Sequence, residues 1–294
     1  MAAEPDRDPL IKYVALQVKM DARMRRLLVE AAITTARKII KLGSTPGVGA
    51  RTREAQLAMY LQYLKEDQEE LWTNTIQPLI ESYFPKANAT AESAAEYIDQ
   101  VLRSAVGEKT AAGLLEGIRV QAKIASQFDM DSRVQRLSGR VWKNAAINTA
   151  RIQRIVQKHL ITGTVDPREL ANDVKRFIDP GTPGGVSYAA MRLARTEING
   201  AFHDRQRTIA EERPWVKAVK WNLSKSHPTP DICDQYARDH SPGFNRGEYI
   251  PEEMPDKPHP QCLCWQTYVL PSDRAMVDIF RAQLGKAPLV RKAA

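Results

Sequence analysis

The chain has 294 residues, enough for two domains that each bury a core, and its 43% apolar content excludes wholesale disorder. Its 43 Lys and Arg outweigh 35 Asp and Glu to give +8, which suits a polyanion or an acidic protein surface and serves equally as a solubility charge. The first residues are polar and acidic and no run of about 18 apolar residues occurs, so neither a signal peptide nor a membrane partner is expected. Three cysteines, an odd number, suit a reduced chain that folds in a cytosol and uses thiols as ligands.

Leu10, Val14, Met20, Met24, Leu27 or Leu28, Ile39 and Ile40 recur at helical spacing and predict a first helix over about 10–42. From Lys19 to Lys41 it carries seven basic residues against Asp21 and Glu30. The Gly- and Pro-containing run 43–49 ends it; lacking the Gly-Lys-Ser/Thr ending of a phosphate loop, that run reads as a connector. A second helix is expected over 52–82, with Leu57, Tyr60, Leu61, Leu64, Leu71 and Ile76 on its apolar face. Its acidic middle, 65–70, is suited to face the basic first helix. Shorter helices over about 90–106 and 108–128 complete what reads as an elongated all-α region.

The helix expected over 132–160 has the clearest electrostatic pattern. Arg133, Arg136, Arg140, Lys143, Arg151, Arg154 and Lys158 fall within a stripe roughly 80° wide at about 100° per residue. Val134, Leu137, Val141, Ile152, Ile155 and Val156 occupy the neighbouring, core-facing sector. A basic row about 38 Å long at about 1.5 Å per residue matches phosphates along double-stranded DNA or an acidic protein groove. The plain alternative is a solvated face paired with acidic neighbours such as 66–70.

Asp166-Pro167-Arg168-Glu169 starts a short helix with an N-cap, an N1 proline and a capping-box glutamate. The run 179–185 is the strongest punctuation and marks the expected domain boundary. Ser187 caps a helix to about Arg213, with Met191, Ala194, Ile198, Ala201, Phe202 and Ile209 inward. Strands are expected at about 216–223 and 264–270, then a last helix over 272–284 and a basic tail. The partition is thus a helical domain 1–165, a short helix and linker 166–186, an α+β module 187–271 and a C-terminal helix and tail 272–294.

All three cysteines lie between the two expected strands, with His227 and His259, in a Pro- and Gly-rich stretch that has little core of its own. Zinc takes four ligands from thiolate sulfur and imidazole nitrogen. Cys233, His259, Cys262 and Cys264 make a closed structural set, with His227 the alternative fourth ligand and Asp231 or Asp234 in position to orient an imidazole. Thiolate-rich ligation selects zinc over magnesium or calcium. The fold class is therefore mainly α, an elongated helical N-terminal domain followed by a small α+β module stapled by a zinc site. Glu248, Glu252 and Glu253 supply candidate bases for the alternative, a metal-dependent hydrolase or nuclease, although no His-Glu-x-x-His or deaminase signature is present. No recognition-helix motif points to a nucleic-acid-binding regulator.

Taken in order, Ala194-Arg195-Thr196-Glu197, Lys220-Trp221, Asp231-Ile232-Cys233 and His259-Pro260-Gln261-Cys262-Leu263-Cys264 resemble the phage Mu F-like minor head protein (head morphogenesis) family over about 187–270. The resemblance implies a non-enzymatic virion component of a tailed phage, made in the host bacterial cytoplasm and placed at the portal vertex or head interior. Its implied partners are the portal protein, the major capsid or scaffolding protein and packaged DNA. Two positions depart from the pattern: Tyr236 stands where the family often has a second cysteine, and Leu263 where it often has arginine. Arg195, Glu197 and Trp221 are the recurrent positions outside the metal set. Of Arg195 and Glu197, two apart on one helix, one is expected to bind the loop and the other to face solvent.

Overall fold

Helices dominate the computed structural model, which describes residues 7–47, 52–161, 166–225 and 230–284. The chain forms two compact units, each built from segments distant in sequence. One comprises 18–83 and 133–195; the other comprises 1–17, 84–132 and 196–294. Three of the four changeovers fall inside helices and none at the Pro/Gly run 179–185, so the units do not follow the sequence partition. Long helices are the reason: α1 (Arg7–Gly43), α5 (Glu108–Ile161) and α7 (Val186–Glu211) each contribute to both. The expected break near 129–131 is absent because Asp129-Met130-Asp131 contains neither Gly nor Pro to stop α5. Among the described residues no helix is long and apolar enough to cross a membrane.

In the 18–83/133–195 unit, α2 (Arg53–Glu70) runs through a single π-helical stretch, Leu71–Ile76, into α3 (Gln77–Glu81). The buried row of α1 includes Met20, Met24, Leu28, Ala32 and Ile39. Ile40, assigned to that face by sequence, is instead 37% exposed because it lies one position, about 100°, beyond Ile39. The acidic middle of α2 does meet the basic helix: Asp67 accepts hydrogen bonds from Thr35 at 2.5 Å, Tyr63 at 3.1 Å and Lys38 at 3.4 Å. Gly43 ends α1 where any Cβ would overlap the Pro167 ring and the Tyr60 hydroxyl. Pro167 opens α6 (Pro167–Ile178), capped by Asp166, whose carboxylate accepts from Arg168 N–H at 2.8 Å. Asp166→Ala should cost about 1 kcal/mol in chemical denaturation. Ser187 is not the cap of α7; it lies in the first turn and donates to the Ile178 carbonyl, and the helix begins at Val186.

In the other unit, α4 (Phe84–Val106) is tied to the end of α7 by charge. The Arg213 guanidinium forks onto Asp99, with Nε to Oδ1 at 2.8 Å and a second bond to Oδ2 at 3.2 Å. Arg205 reaches Glu92 at 2.5 Å and Glu212 at 3.1 Å. After α7 comes a three-stranded antiparallel sheet of order β2-β1-β3. β1 (Ala218–Asn222) pairs with β3 (Trp265–Val269) in the register Val219↔Tyr268, as the bracketing strands predicted. β2 (Glu248–Tyr249) adds a short edge. The inward side of β3 is Gln266 and Tyr268, with the Tyr268 hydroxyl donating to the Gln206 carbonyl at 3.0 Å. Between β1 and β2 lies α8 (Ile232–Arg238), and α9 (Asp273–Leu284) closes the described chain.

Candidate metal centre

Cys233 sits in the first turn of α8. Asp231 caps that helix by accepting from the Cys233 N–H at 2.6 Å, and Asp234 accepts from the Asp231 N–H at 2.8 Å, a reciprocal capping box. These carboxylates therefore fix the backbone that presents Cys233, whose side chain is fully buried. The other donors come from a tight turn. Cys262 N–H donates to the His259 carbonyl at 3.4 Å, with Pro260 second and Gln261 third at φ 61°. Proline followed by a positive φ is the pattern of a type II turn, and it brings His259 and Cys262 side by side. A left-handed Gln costs of order 1 kcal/mol, so Gln261→Gly should raise stability by roughly that amount if the turn is otherwise unchanged.

Helix α7 holds this turn from behind. Thr196 Oγ1 accepts from the Gln261 N–H at 3.3 Å, and Asn199 Nδ2 donates to the Cys262 carbonyl. Asn199 in turn accepts from the Tyr13 hydroxyl at 3.0 Å, and Tyr13 stacks on Phe202 at 4.2 Å between centroids. Of the two positions singled out on this helix, Arg195 forks onto Asp21 of α1 within the other unit, and Glu197 is 3% exposed and so does not face solvent. Residues 196 and 199 lie one turn apart on the loop-facing side of α7, a placement that needs the tertiary fold to be read.

The ligand atoms of Cys233, His259 and Cys262 all lie within 4.8 Å of one another. Cys233 Sγ is 3.3 Å from His259 Nε2 and 3.5 Å from Cys262 Sγ. Ligands around a tetrahedral zinc stand about 3.6–3.8 Å apart, so an outward shift of about 0.3 Å accommodates a common ion. The residues fit such an ion. The far ring nitrogen, Nδ1, stands 3.1 Å from the Pro260 carbonyl, which suits an N–H donor there and leaves Nε2 for a metal. Asp231 Oδ2 lies 3.2 Å from Nε2 itself, on the ligand side of the ring, so the orienting role expected of Asp231 is taken by the Pro260 carbonyl. Cys264 is 2% exposed, but it stands outside the mutually close trio. His227 lies outside the described residues.

Burial pushes the Cys233 thiol up to about 12, and the hydrogen bond with Cys262, followed by burial, pushes Cys264 up as well. Cys262 is lowered, first by the hydrogen bond from Cys264 and then by the Lys257 ammonium. Lys257 lies 3.9 Å from Cys262 Sγ, donates to the Cys264 carbonyl and stands 4.9 Å from the centre of the Trp221 ring. Trp221 is buried and packs edge-on against Tyr236 at 5.3 Å, so the position where a second cysteine was a possibility serves the floor of the site. With two thiols held protonated, metal uptake must release protons. Its apparent affinity should strengthen as pH rises, checked by calorimetry in buffers of different ionisation enthalpy.

Of the three candidate bases, Glu252 is exposed and the other two are engaged in local hydrogen bonds. Glu248 accepts from Asn245 N–H at 3.2 Å and from the Asn245 amide at 3.0 Å, and Glu253 accepts from Ser241 at 2.5 Å. In the separate 18–83/133–195 unit, Arg136, Arg140, Lys143, Arg151, Arg154 and Lys158 are exposed along α5, with Ile147, 43% exposed, in the gap of the row. Arg133 is 8% exposed and leaves the row: it stands at the edge that borders Leu137, where packing covers it. Arg151 also donates to the Gly184 carbonyl at 2.5 Å. No family model matches the chain, and neither a curated protein nor a solved structure matches it.

Proposed function

We propose that the chain is a minor head protein of a tailed phage, stapled by a structural zinc and acting at the portal vertex or head interior. The observation that carries the zinc assignment is the trio of His259 with the buried Cys233 and Cys262, and the buried Cys264 is the proposed fourth donor. Structural zinc sites are closed and thiolate-rich, whereas catalytic ones keep an open position beside a base. The family assignment rests on the order of motifs over 187–270, and the His-Pro-x-Cys-x-Cys turn is its centre. The nuclease alternative has less support, because two of its three candidate bases, Glu248 and Glu253, are committed to local hydrogen bonds.

In this reading the basic row of α5 meets packaged DNA or an acidic surface of the portal or shell. The test is a salt titration of binding to double-stranded DNA and to portal protein. Reversing charge at Arg136, Arg140 and Arg154 should weaken binding and lower the slope of log K against log salt by about 0.9 for each lost phosphate contact. An unchanged slope for both ligands would remove the row from the proposal.

A further inference from the structure

Helix α1 carries more apolar surface than its unit covers. Within 18–83/133–195, Val18, Val29 and Ile40 recur every 11 residues and are 63%, 40% and 37% exposed. Ala22 and Ile33, also 11 apart, fill the intervals. At about 100° per residue the five fall in a stripe about 60° wide, beside the buried row of Met20, Met24, Leu28 and Ile39. The apolar arc is then about 220°, roughly twice what packing on one core requires. An 11-residue repeat corresponds to about 3.67 residues per turn, which keeps the stripe nearly parallel to the axis, as needed for a second helix alongside.

The far edge of that stripe is basic. Lys19, Arg23, Arg26, Arg37 and Lys41 are exposed along it, and Arg25 is exposed at the opposite edge, between the stripe and the buried row. Glu30 is the lone acid on the edge. Among the described residues Arg25, Arg26 and Arg37 have no ion-pair partner. A shallow concavity interrupts the face, the shape that receives one protruding side chain; besides Val29, Ile33 and Thr34 its lining holds three arginines, Arg25, Arg26 and Arg37, against the single carboxylate of Glu30.

We propose that this face of α1 docks an acidic amphipathic helix from a partner protein. The partner's aliphatic side chains lie along Val18, Val29, Ile33 and Ile40, and its Asp and Glu side chains meet Arg25, Arg26 and Arg37. A second copy of the face offers no acidic row to receive these charges. A lipid surface is disfavoured because the stripe has no Trp, Phe or Leu. The inference uses neither the metal centre nor the basic row of α5, so it stands or falls apart from the proposed function.

The probe is a designed helical peptide of about 26 residues with aliphatic positions spaced 3-4-4 and glutamates on one flank. It is titrated against the full chain beside a scrambled peptide of the same composition and vesicles of phosphatidylcholine and phosphatidylserine. The designed peptide should bind saturably, and Val29→Asp with Ile40→Asp should weaken it by about tenfold or more. Arg26→Glu with Arg37→Glu should weaken it at low salt and flatten its salt dependence. Circular dichroism checks that the variants fold, and Val18→Asp alone replaces the first pair if it does not. Absent saturable binding, equal binding of the scrambled peptide, displacement by the vesicles, or self-association relieved by Val29→Asp would each overturn the proposal.

Discussion

Cys262→Ser should abolish metal retention and lower the stability of the unit that contains the sheet by about 4 kcal/mol or more. That figure follows from a ligand present at a thousandfold excess over its Kd, a modest condition for a structural zinc. Serine leaves the His259–Cys262 turn without a thiolate, so the buried Cys233 thiol and the Lys257 ammonium lose their common partner. The comparison that isolates the metal is a chelated wild-type chain: it should unfold at the temperature of Cys262→Ser, and chelator should not move the variant further. A wild-type unfolding temperature indifferent to chelator would reject the staple.

Asp99→Ala should be the most damaging change away from the metal centre, costing about 3–5 kcal/mol in chemical denaturation. Both partners are buried, Arg213 at 4% and Asp99 at 6% side-chain exposure, so deleting the carboxylate leaves the guanidinium only Glu212, 3.5 Å away and shared with Arg205. The loss comes mainly from the charge left behind, not from the value of the pair. Replacing both residues together, Asp99→Leu with Arg213→Met, should therefore recover much of the stability lost by Asp99→Ala. If the double variant were as unstable as the single one, the pair would have a specific structural role beyond charge compensation.

The contrast between these two sites shows what the sequence made legible. The cysteines and His259 cluster in the chain, so their convergence could be read from spacing, and the fold brings Cys233, His259 and Cys262 within reach of one ion. Asp99 and Arg213 are 114 residues apart and carry no local signature. The helices were readable where apolar periodicity met a cap or a breaker, as at Gly43 and Asp166, and the β1–β3 pairing was readable from alternation on both sides of the loop. The interior of that loop was not. Helix α8 is only seven residues long, too short for a periodic signal, and its stability comes from the Asp231–Asp234 capping box. β2 spans two residues and exists through pairing with β1. Thr196 and Asn199 were missed because their role is set by which way α7 faces the turn, and Arg133 was miscounted because its burial depends on neighbours in space.

Metal content of the purified full chain, measured by elemental analysis and native mass spectrometry, tests the central claim most directly. One zinc per chain is predicted, lost in Cys233→Ser and in Cys262→Ser and retained in Asp234→Asn, whose amide oxygen can still accept from the Asp231 N–H. A chain that holds no metal, or one whose metal survives removal of both thiols, would contradict the account.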